Sequence, residues 1–70
     1  MKEITSSMAG TVLNTMAGPG DEVKAGQEVI MLESMKMEIP VESHMDGKVA
    51  EVKVSAGDFV NEGDVLIVLE

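Results

Sequence analysis

The chain lacks cysteine, tryptophan, tyrosine and arginine, and it has a single phenylalanine in 70 residues. Without cysteine it can form neither a disulfide nor a thiolate metal site, so packing alone must hold the fold. A cysteine-free composition suits the reducing cytoplasm, where we expect the protein to be located. The length allows one domain over residues 1–70, because a second domain would need about 50 residues more.

Positive charge is also scarce. Five lysines face thirteen acidic residues, and the formal net charge is −8. Nucleic acid binding depends on basic residues that neutralise phosphates, and an anionic membrane surface repels a negative protein. The longest uninterrupted apolar run, Val65–Leu69, has five residues, whereas a membrane-spanning helix needs about 20. We therefore expect a small acidic domain with neither nucleic acid nor membrane as a partner. We also expect the protein to be a monomer.

The sequence repeats itself once. Residues 6–33 align without a gap on residues 43–70, at an offset of 37, and eleven of the 28 aligned positions are identical. Two copies indicate a duplication rather than a solenoid, and we expect the two halves to be related by a pseudo-twofold axis. The identical pairs are Ser6/Ser43, Met8/Met45, Gly10/Gly47, Val12/Val49, Gly20/Gly57, Asp21/Asp58, Val23/Val60, Gly26/Gly63, Ile30/Ile67, Leu32/Leu69 and Glu33/Glu70.

Both repeats carry turn and strand signals, and neither has the periodicity of a helix. The pattern Gly-Asp-x-Val-x-x-Gly, at residues 20–26 and 57–63, predicts a turn, a very short strand and a second turn. Pro40 places its strand at a sheet edge or at an irregular position, because proline cannot donate to a strand ladder. About four short strands from each half predict an all-β fold, a flattened barrel or sandwich with few free edges. The predicted strands are 11–13, 29–32, 38–42, 48–54 and 65–69, with short extended pieces at Val23 and Val60.

The segment between the repeats breaks the local rules for its predicted structure. Strands on both sides predict a hairpin turn, yet its centre is Met35-Lys36-Met37, without glycine, asparagine or aspartate. In one interpretation the methionines fold back on the barrel and Lys36 is simply a solvated tip. In the other, the Lys36 amine is raised clear of the barrel as an anchor for a covalent group. The flanking methionines then offer the modifying enzyme a flexible apolar contact.

The hexapeptide Glu33-Ser34-Met35-Lys36-Met37-Glu38 resembles the attachment motif of the biotinyl/lipoyl carrier domains, whose biotinylated members present a lysine between two methionines. The likeness extends over nearly the whole chain, through Gly10-Thr11-Val12 and both Gly-Asp-x-Val-x-x-Gly patterns. It is greatest to the single-domain biotin/lipoyl attachment proteins. The family fold that it implies is a flattened eight-stranded barrel-sandwich of two four-stranded antiparallel sheets, with the modified lysine on a hairpin turn.

The resemblance also implies a function. Lys36 would be biotinylated by a biotin protein ligase and would carry biotin and carboxybiotin between the active sites of carboxylase components. The chain would then be a carrier and a ligase substrate, not an enzyme. Met35 and Met37 would serve recognition, and Glu33, Ser34 and Glu38 would form the hairpin around the lysine.

Two other functions remain open at this point. Lipoyl domains typically have Asp-Lys-Ala at the modified lysine, so Met35 and Met37 favour biotin. The shared fold nevertheless allows a lipoate ligase to attach lipoate to Lys36, for an acyl-transfer complex. The third possibility is an unmodified interaction module.

The chain departs from the family pattern in two places. Ser6-Ser7-Met8-Ala9 replaces the usual Ala-Pro-Met-Pro, and Ser43-His44 replaces Ala-Pro. Both changes remove rigid prolines, so we expect looser segments there.

Residues elsewhere give weaker signals. His44 has no second ligand at metal-site spacing, so we expect no metal. Met8 and Met45 are repeat equivalents and are predicted to be structural. Phe59 is predicted to fill the core or to cover an end of the barrel.

Overall fold

In the computed structural model, which describes residues 2–70, the chain folds into eight β-strands without a helix. The prediction of an all-β fold is therefore confirmed. Each strand of the first half has its counterpart 37 residues further along the chain. The strands are β1 (Lys2–Thr5), β2 (Gly10–Thr15), β3 (Glu22–Val23), β4 (Glu28–Ser34), β5 (Met37–Glu42), β6 (Gly47–Val52), β7 (Phe59–Val60) and β8 (Val65–Leu69).

The strands form two four-stranded antiparallel sheets. The hairpin sheet has the order β5-β4-β2-β7, and the opposite sheet has the order β1-β8-β6-β3. Replacing every strand by its repeat equivalent converts one sheet into the other, as the pseudo-twofold axis requires. Each sheet takes two strands from each half, so the halves interlock. Pro40 lies in β5, an edge strand, as predicted.

The core lies between the two sheets and follows the repeat. Val12 and Leu32 from the hairpin sheet and their equivalents Val49 and Leu69 from the opposite sheet are at most 1% exposed. Burial of such side chains is the main favourable contribution to the stability of so small a domain. Met8 and Met45 pack against the same cluster, which confirms their structural role. The buried apolar core comprises Ile4, Val12, Ala17, Val23, Val29, Ile30, Leu32, Val41, Val49, Val60, Leu66, Ile67 and Leu69.

The Gly-Asp patterns form the predicted turns on either side of β3 and β7. Gly20 and Gly57 have φ angles of 92° and 96°, a region that non-glycine residues rarely adopt. The aspartate after each glycine closes its own turn. The Gly18 amide donates to Asp21 Oδ2 at 2.8 Å, and the Ser55 amide donates to Asp58 Oδ2 at 2.9 Å.

The serines that stand in place of the usual alanines are tied down. Ser6 and Ser43 are 2% and 1% exposed. Each hydroxyl donates to a main-chain oxygen two residues on, that of Met8 or Met45, and accepts from the amide of the same residue. Side-chain hydrogen bonds therefore hold the two segments that the sequence predicted to be loose.

The prediction that Phe59 fills the core is wrong, and the alternative, that it covers an end of the barrel, stays a prediction. The Phe59 side chain is 64% exposed on β7, an edge strand of the hairpin sheet, so it does not fill the core. The neighbouring Val60 takes the buried position, because successive side chains of a strand point to opposite faces. His44 is exposed. Over residues 2–70 no group of three or more His, Asp or Glu residues is arranged to hold a metal ion. The same residues include no helix long and apolar enough to cross a membrane.

Candidate functional site

The hairpin of β4 and β5 places Lys36 at a tight turn. Ser34 pairs with Met37 and Glu33 with Glu38, so Met35 and Lys36 alone connect the strands. The two strands stay paired from the turn to the pair of Glu28 and Glu42, with one irregularity near that end. The paired strands therefore give the tip of the hairpin a firm support. The predicted hairpin with a lysine at its turn is therefore confirmed.

The turn adopts a backbone that its residues do not favour. Met35 and Lys36 have φ angles of 54° and 66°, and positive φ at both central residues is typical of a type I′ turn. Asparagine and glycine are preferred there, because a Cβ atom in the left-handed region costs about 1–2 kcal/mol per residue. The sequence retains two residues that the backbone disfavours, which is typical of positions kept for function.

The methionines project into solvent. Met35 is 91% exposed and Met37 is 64% exposed. The interpretation in which both methionines fold back onto the barrel is therefore wrong. Lys36 between them is exposed as well. Two flexible apolar side chains thus accompany the amine, which is the arrangement expected if a partner protein grips the tip from both sides.

The charges around Lys36 leave its amine free of an ion pair. Among residues 2–70 the one salt bridge joins Lys53 Nζ to Glu51 Oε1 at 3.2 Å. Glu33 and Glu38 lie directly opposite each other on neighbouring strands, one pair below the turn, and both are exposed. Like charges in that position destabilise a hairpin slightly. The Lys36 amine is therefore a single cation at the end of an acidic hairpin.

Close strand packing supports the base of the turn. Thr11 of β2 pairs with Glu33 of β4, and Gly10 lies beside them. A Cβ atom on Gly10 would lie 2.8 Å from the Glu33 main-chain oxygen and 3.5 Å from Ser34 Cβ. Ser34 is half-buried at this junction. The absence of a side chain at residue 10 allows β2 to approach the hairpin just below its tip.

The structure thus places all six predicted site residues on one hairpin: Glu33, Ser34, Met35, Lys36, Met37 and Glu38. An exposed primary amine on a flexible stem fits amide formation with the carboxyl group of biotin or of lipoate. Leu13 and Phe59, on the same sheet as the hairpin, are also exposed, which was not predicted from the sequence. Comparison of the two repeats could have found them, because their equivalents are Ala50 and Glu22.

Known proteins are similar to this chain over nearly its whole length. The family model described as "Biotin-requiring enzyme" matches residues 2–69. The chain is 52% identical over 66 residues to the biotin/lipoyl attachment protein of Bacillus subtilis (strain 168), covering 94% of this chain and 90% of the relative. It is 37% identical over 68 residues to the biotinylated protein TB7.3 homolog of Mycobacterium leprae (strain TN), covering 97% of this chain and 96% of the relative.

A solved structure shows the same fold inside a much larger enzyme. The urea carboxylase of Kluyveromyces lactis superposes with a TM-score of 0.91 and 35% identity, covering 99% of this chain and 6% of that enzyme. The fold, the hairpin with its lysine and the sequence similarity all lead to the same conclusion: the chain belongs to the biotin/lipoyl attachment domain family.

Proposed function

We propose that this protein is a biotin carrier and that Lys36 is the residue to which biotin is attached. The observation that carries the proposal is the exposed Lys36 between two exposed methionines, on a turn whose backbone disfavours these residues. Membership of the family supports a carrier role, and the similarity to a biotinylated protein and to a carboxylase supports biotin as the carried group.

The attachment chemistry requires a nucleophile and an activated carboxyl group. A biotin protein ligase would supply biotin activated as the adenylate. The neutral amine of Lys36 attacks its carbonyl carbon, a C–N bond forms, and the bond to the phosphate oxygen breaks with AMP as the leaving group. The amine loses a proton to give the amide.

Once bound, biotin supplies the carboxyl-carrying chemistry, and the chain's own residues position it. The paired strands fix the base of the arm, while the stem of Lys36 stays free to move. Tethering makes the second encounter intramolecular, with an effective concentration in the millimolar range for a short flexible link. The net charge of −8 keeps such a carrier soluble and can steer basic partners towards it. The partners in this proposal are the ligase and the components of a biotin-dependent carboxylase.

A second candidate function is lipoyl transfer on the same lysine. It is favoured by the 52% identity to a relative whose name includes both groups. Met35 and Met37 oppose it as the main function, because the resemblance to biotinylated members depends on these two residues. A lipoate ligase would then be the modifying enzyme and an acyl-transfer complex the partner.

Intact mass spectrometry after co-expression with a biotin protein ligase tests the proposal. We expect one biotin per chain on the native sequence and none on Lys36→Arg, which keeps the charge. The matched control is Lys53→Arg, which should be labelled like the native chain. Biotin retained by Lys36→Arg would refute the site. Co-expression with a lipoate ligase and lipoate tests the second candidate, and a chain modified by neither enzyme would point to an interaction module.

A further inference from the structure

The two sheets are related by the repeat, so each is a control for the surface of the other. Among residues 2–70 five large apolar side chains are exposed: Leu13, Met16, Met35, Met37 and Phe59. All five lie in the hairpin sheet or in a segment directly joined to it. Met16, for example, lies one residue beyond β2, and its amide donates to the main-chain oxygen of Val29 at 2.8 Å.

The equivalent positions of the opposite sheet are charged or small. Phe59, Leu13 and Met16 correspond to Glu22, Ala50 and Lys53. Thr11, the register partner of Phe59, corresponds to Lys48, the register partner of Glu22. The same backbone positions thus carry an uncharged pair, a phenylalanine beside a threonine, on one sheet and an oppositely charged pair on the other. The fold does not require apolar residues at these positions, so their presence on one sheet alone calls for another reason.

Charge is divided between the sheets as well. The strands of the opposite sheet contain Lys2 and Lys48 beside three glutamates, whereas the strands of the hairpin sheet contain no lysine. The hairpin sheet's only charged residues are Glu28, Glu33, Glu38 and Glu42. A surface of this kind is complementary to an apolar patch bordered by lysine or arginine side chains.

This surface reaches the attachment turn. Phe59, Thr11, Glu33 and Glu38 are successive register partners across all four strands of the hairpin sheet. Register partners point to the same face, and the strand spacing makes this row about 14 Å long. The row lies one pair below Ser34 and Met37, which flank the turn. We call this row, together with Leu13, the docking face.

We propose that the docking face binds the biotin protein ligase through an apolar and basic surface of that enzyme. This inference rests on the proposed function. The ligase must bring its active site to a lysine side chain that does not yet carry biotin, so it has to approach the hairpin and the sheet behind it. A carboxylase meets the biotin at the end of a longer arm and can work at a greater distance from the sheet.

Steady-state biotinylation of the native chain and of Phe59→Glu by a bacterial biotin protein ligase tests the inference. Phe59→Glu introduces the residue that the first repeat has at this position. We expect KM to rise about tenfold, the loss typical of one interface anchor, with kcat within about twofold of the native value. Phe59→Ala should give a smaller rise, because it removes the ring without adding charge. Unchanged melting temperatures would show that the variants fold, as expected for a side chain that is 64% exposed and lies outside the buried core.

The matched control is Lys53→Gln, one residue beyond β6 of the opposite sheet, which changes the net charge by the same amount as Phe59→Glu. We expect it to leave KM unchanged. The value of kcat/KM for the native chain should fall as salt is added, and Glu38→Gln should weaken that dependence. A native KM for Phe59→Glu, or an equal rise for Lys53→Gln, would overturn the inference while leaving Lys36 as the attachment site.

Two further outcomes separate the inference from the proposed function. If the ligase labels the native chain but Phe59→Glu impairs only carboxylation of the biotinylated chain by a biotin carboxylase, the docking face belongs to the carboxylase and the inference is wrong. If the ligase does not label the native chain at all, the proposed function fails, and the inference fails with it.

Discussion

Gly10 lies so close to Glu33 that a Cβ atom on Gly10 would be 2.8 Å from the Glu33 main-chain oxygen. This contact lies between β2 and the base of the hairpin that presents Lys36. We expect Gly10→Ala to lower the free energy of unfolding by about 1–3 kcal/mol, because a backbone oxygen cannot move aside as a side chain can. Urea denaturation measures this change.

The repeat equivalent provides the control. A Cβ atom on Gly47 would meet Leu69 Cδ1 at 3.1 Å and Leu69 Cβ at 3.3 Å, which small shifts can relieve. Gly47→Ala should therefore destabilise the fold less than Gly10→Ala. Equal losses would show that the close approach of β2 to Glu33 has no special importance.

The left-handed turn predicts a conflict between stability and function. Replacing Met35 by asparagine and Lys36 by glycine supplies the residues that a type I′ turn prefers. We expect the double variant to gain about 1–2 kcal/mol in the free energy of unfolding, since both native residues have positive φ. It should also lose biotin attachment completely. Chemical denaturation and intact mass spectrometry provide the two readouts.

Lys36→Arg is the reference for that experiment, because it removes the attachment point and retains a side chain in the left-handed region. Its stability should stay close to that of the native chain. A double variant no more stable than Lys36→Arg would mean that the turn is not strained.

Local signals explain which parts of this fold the sequence predicts. The Gly-Asp turns are encoded locally, by a glycine with positive φ and an aspartate that closes the turn, so a short sequence pattern identifies each one. The hairpin follows because the strands on both sides are marked by apolar runs and by Pro40. With those strands fixed, Lys36 has no place except the turn.

Other parts depend on partners distant in the chain. Strand β1 buries only Ile4, so its sequence carries no clear alternation, and its pairing with β8 establishes it. The predicted strand over 48–54 ends at Val52, although Val54 still packs on the core. Phe59 belongs to a two-residue strand, too short for a periodicity to show that its side chain faces out. The left-handed backbone of Met35 and Lys36 could not be predicted either, since neither methionine nor lysine indicates a positive φ angle.

Like charges on the hairpin predict a simple stabilising substitution. Glu28 and Glu42 are register partners at the end of β4 and β5 far from the turn, and both are exposed. Glu42→Lys should raise the free energy of unfolding by about 0.2–1 kcal/mol at low salt, because attraction replaces repulsion. Most of the gain should disappear in 1 M salt, where the screening length is about 3 Å.

Glu42→Gln separates the two contributions, since it ends the repulsion without adding attraction. Thermal unfolding at low and high salt should place it between the native chain and Glu42→Lys. If all three proteins have the same stability at low salt, the facing carboxylates do not interact.

The exposure of the methionines predicts the order in which an oxidant attacks them. Met35 and Met37 are 91% and 64% exposed, whereas Met8 and Met45 are partly buried against the core. Hydrogen peroxide transfers one oxygen atom to the thioether sulfur to give the sulfoxide and water. We expect Met35 and Met37 to be oxidised first, with Met16, which is 42% exposed, as a control remote from the lysine. Peptide mapping by mass spectrometry after brief treatment gives the order.

Oxidation at the turn should also slow attachment of biotin to Lys36. A sulfoxide is polar, so it weakens the apolar contact that Met35 and Met37 offer to the ligase. Brief treatment should leave Met8 and Met45 unoxidised, so the fold should stay intact. Reduction by methionine sulfoxide reductases should restore the rate. If chains oxidised at both positions are biotinylated at the native rate, the ligase does not use these side chains, and the recognition role assigned to them is wrong.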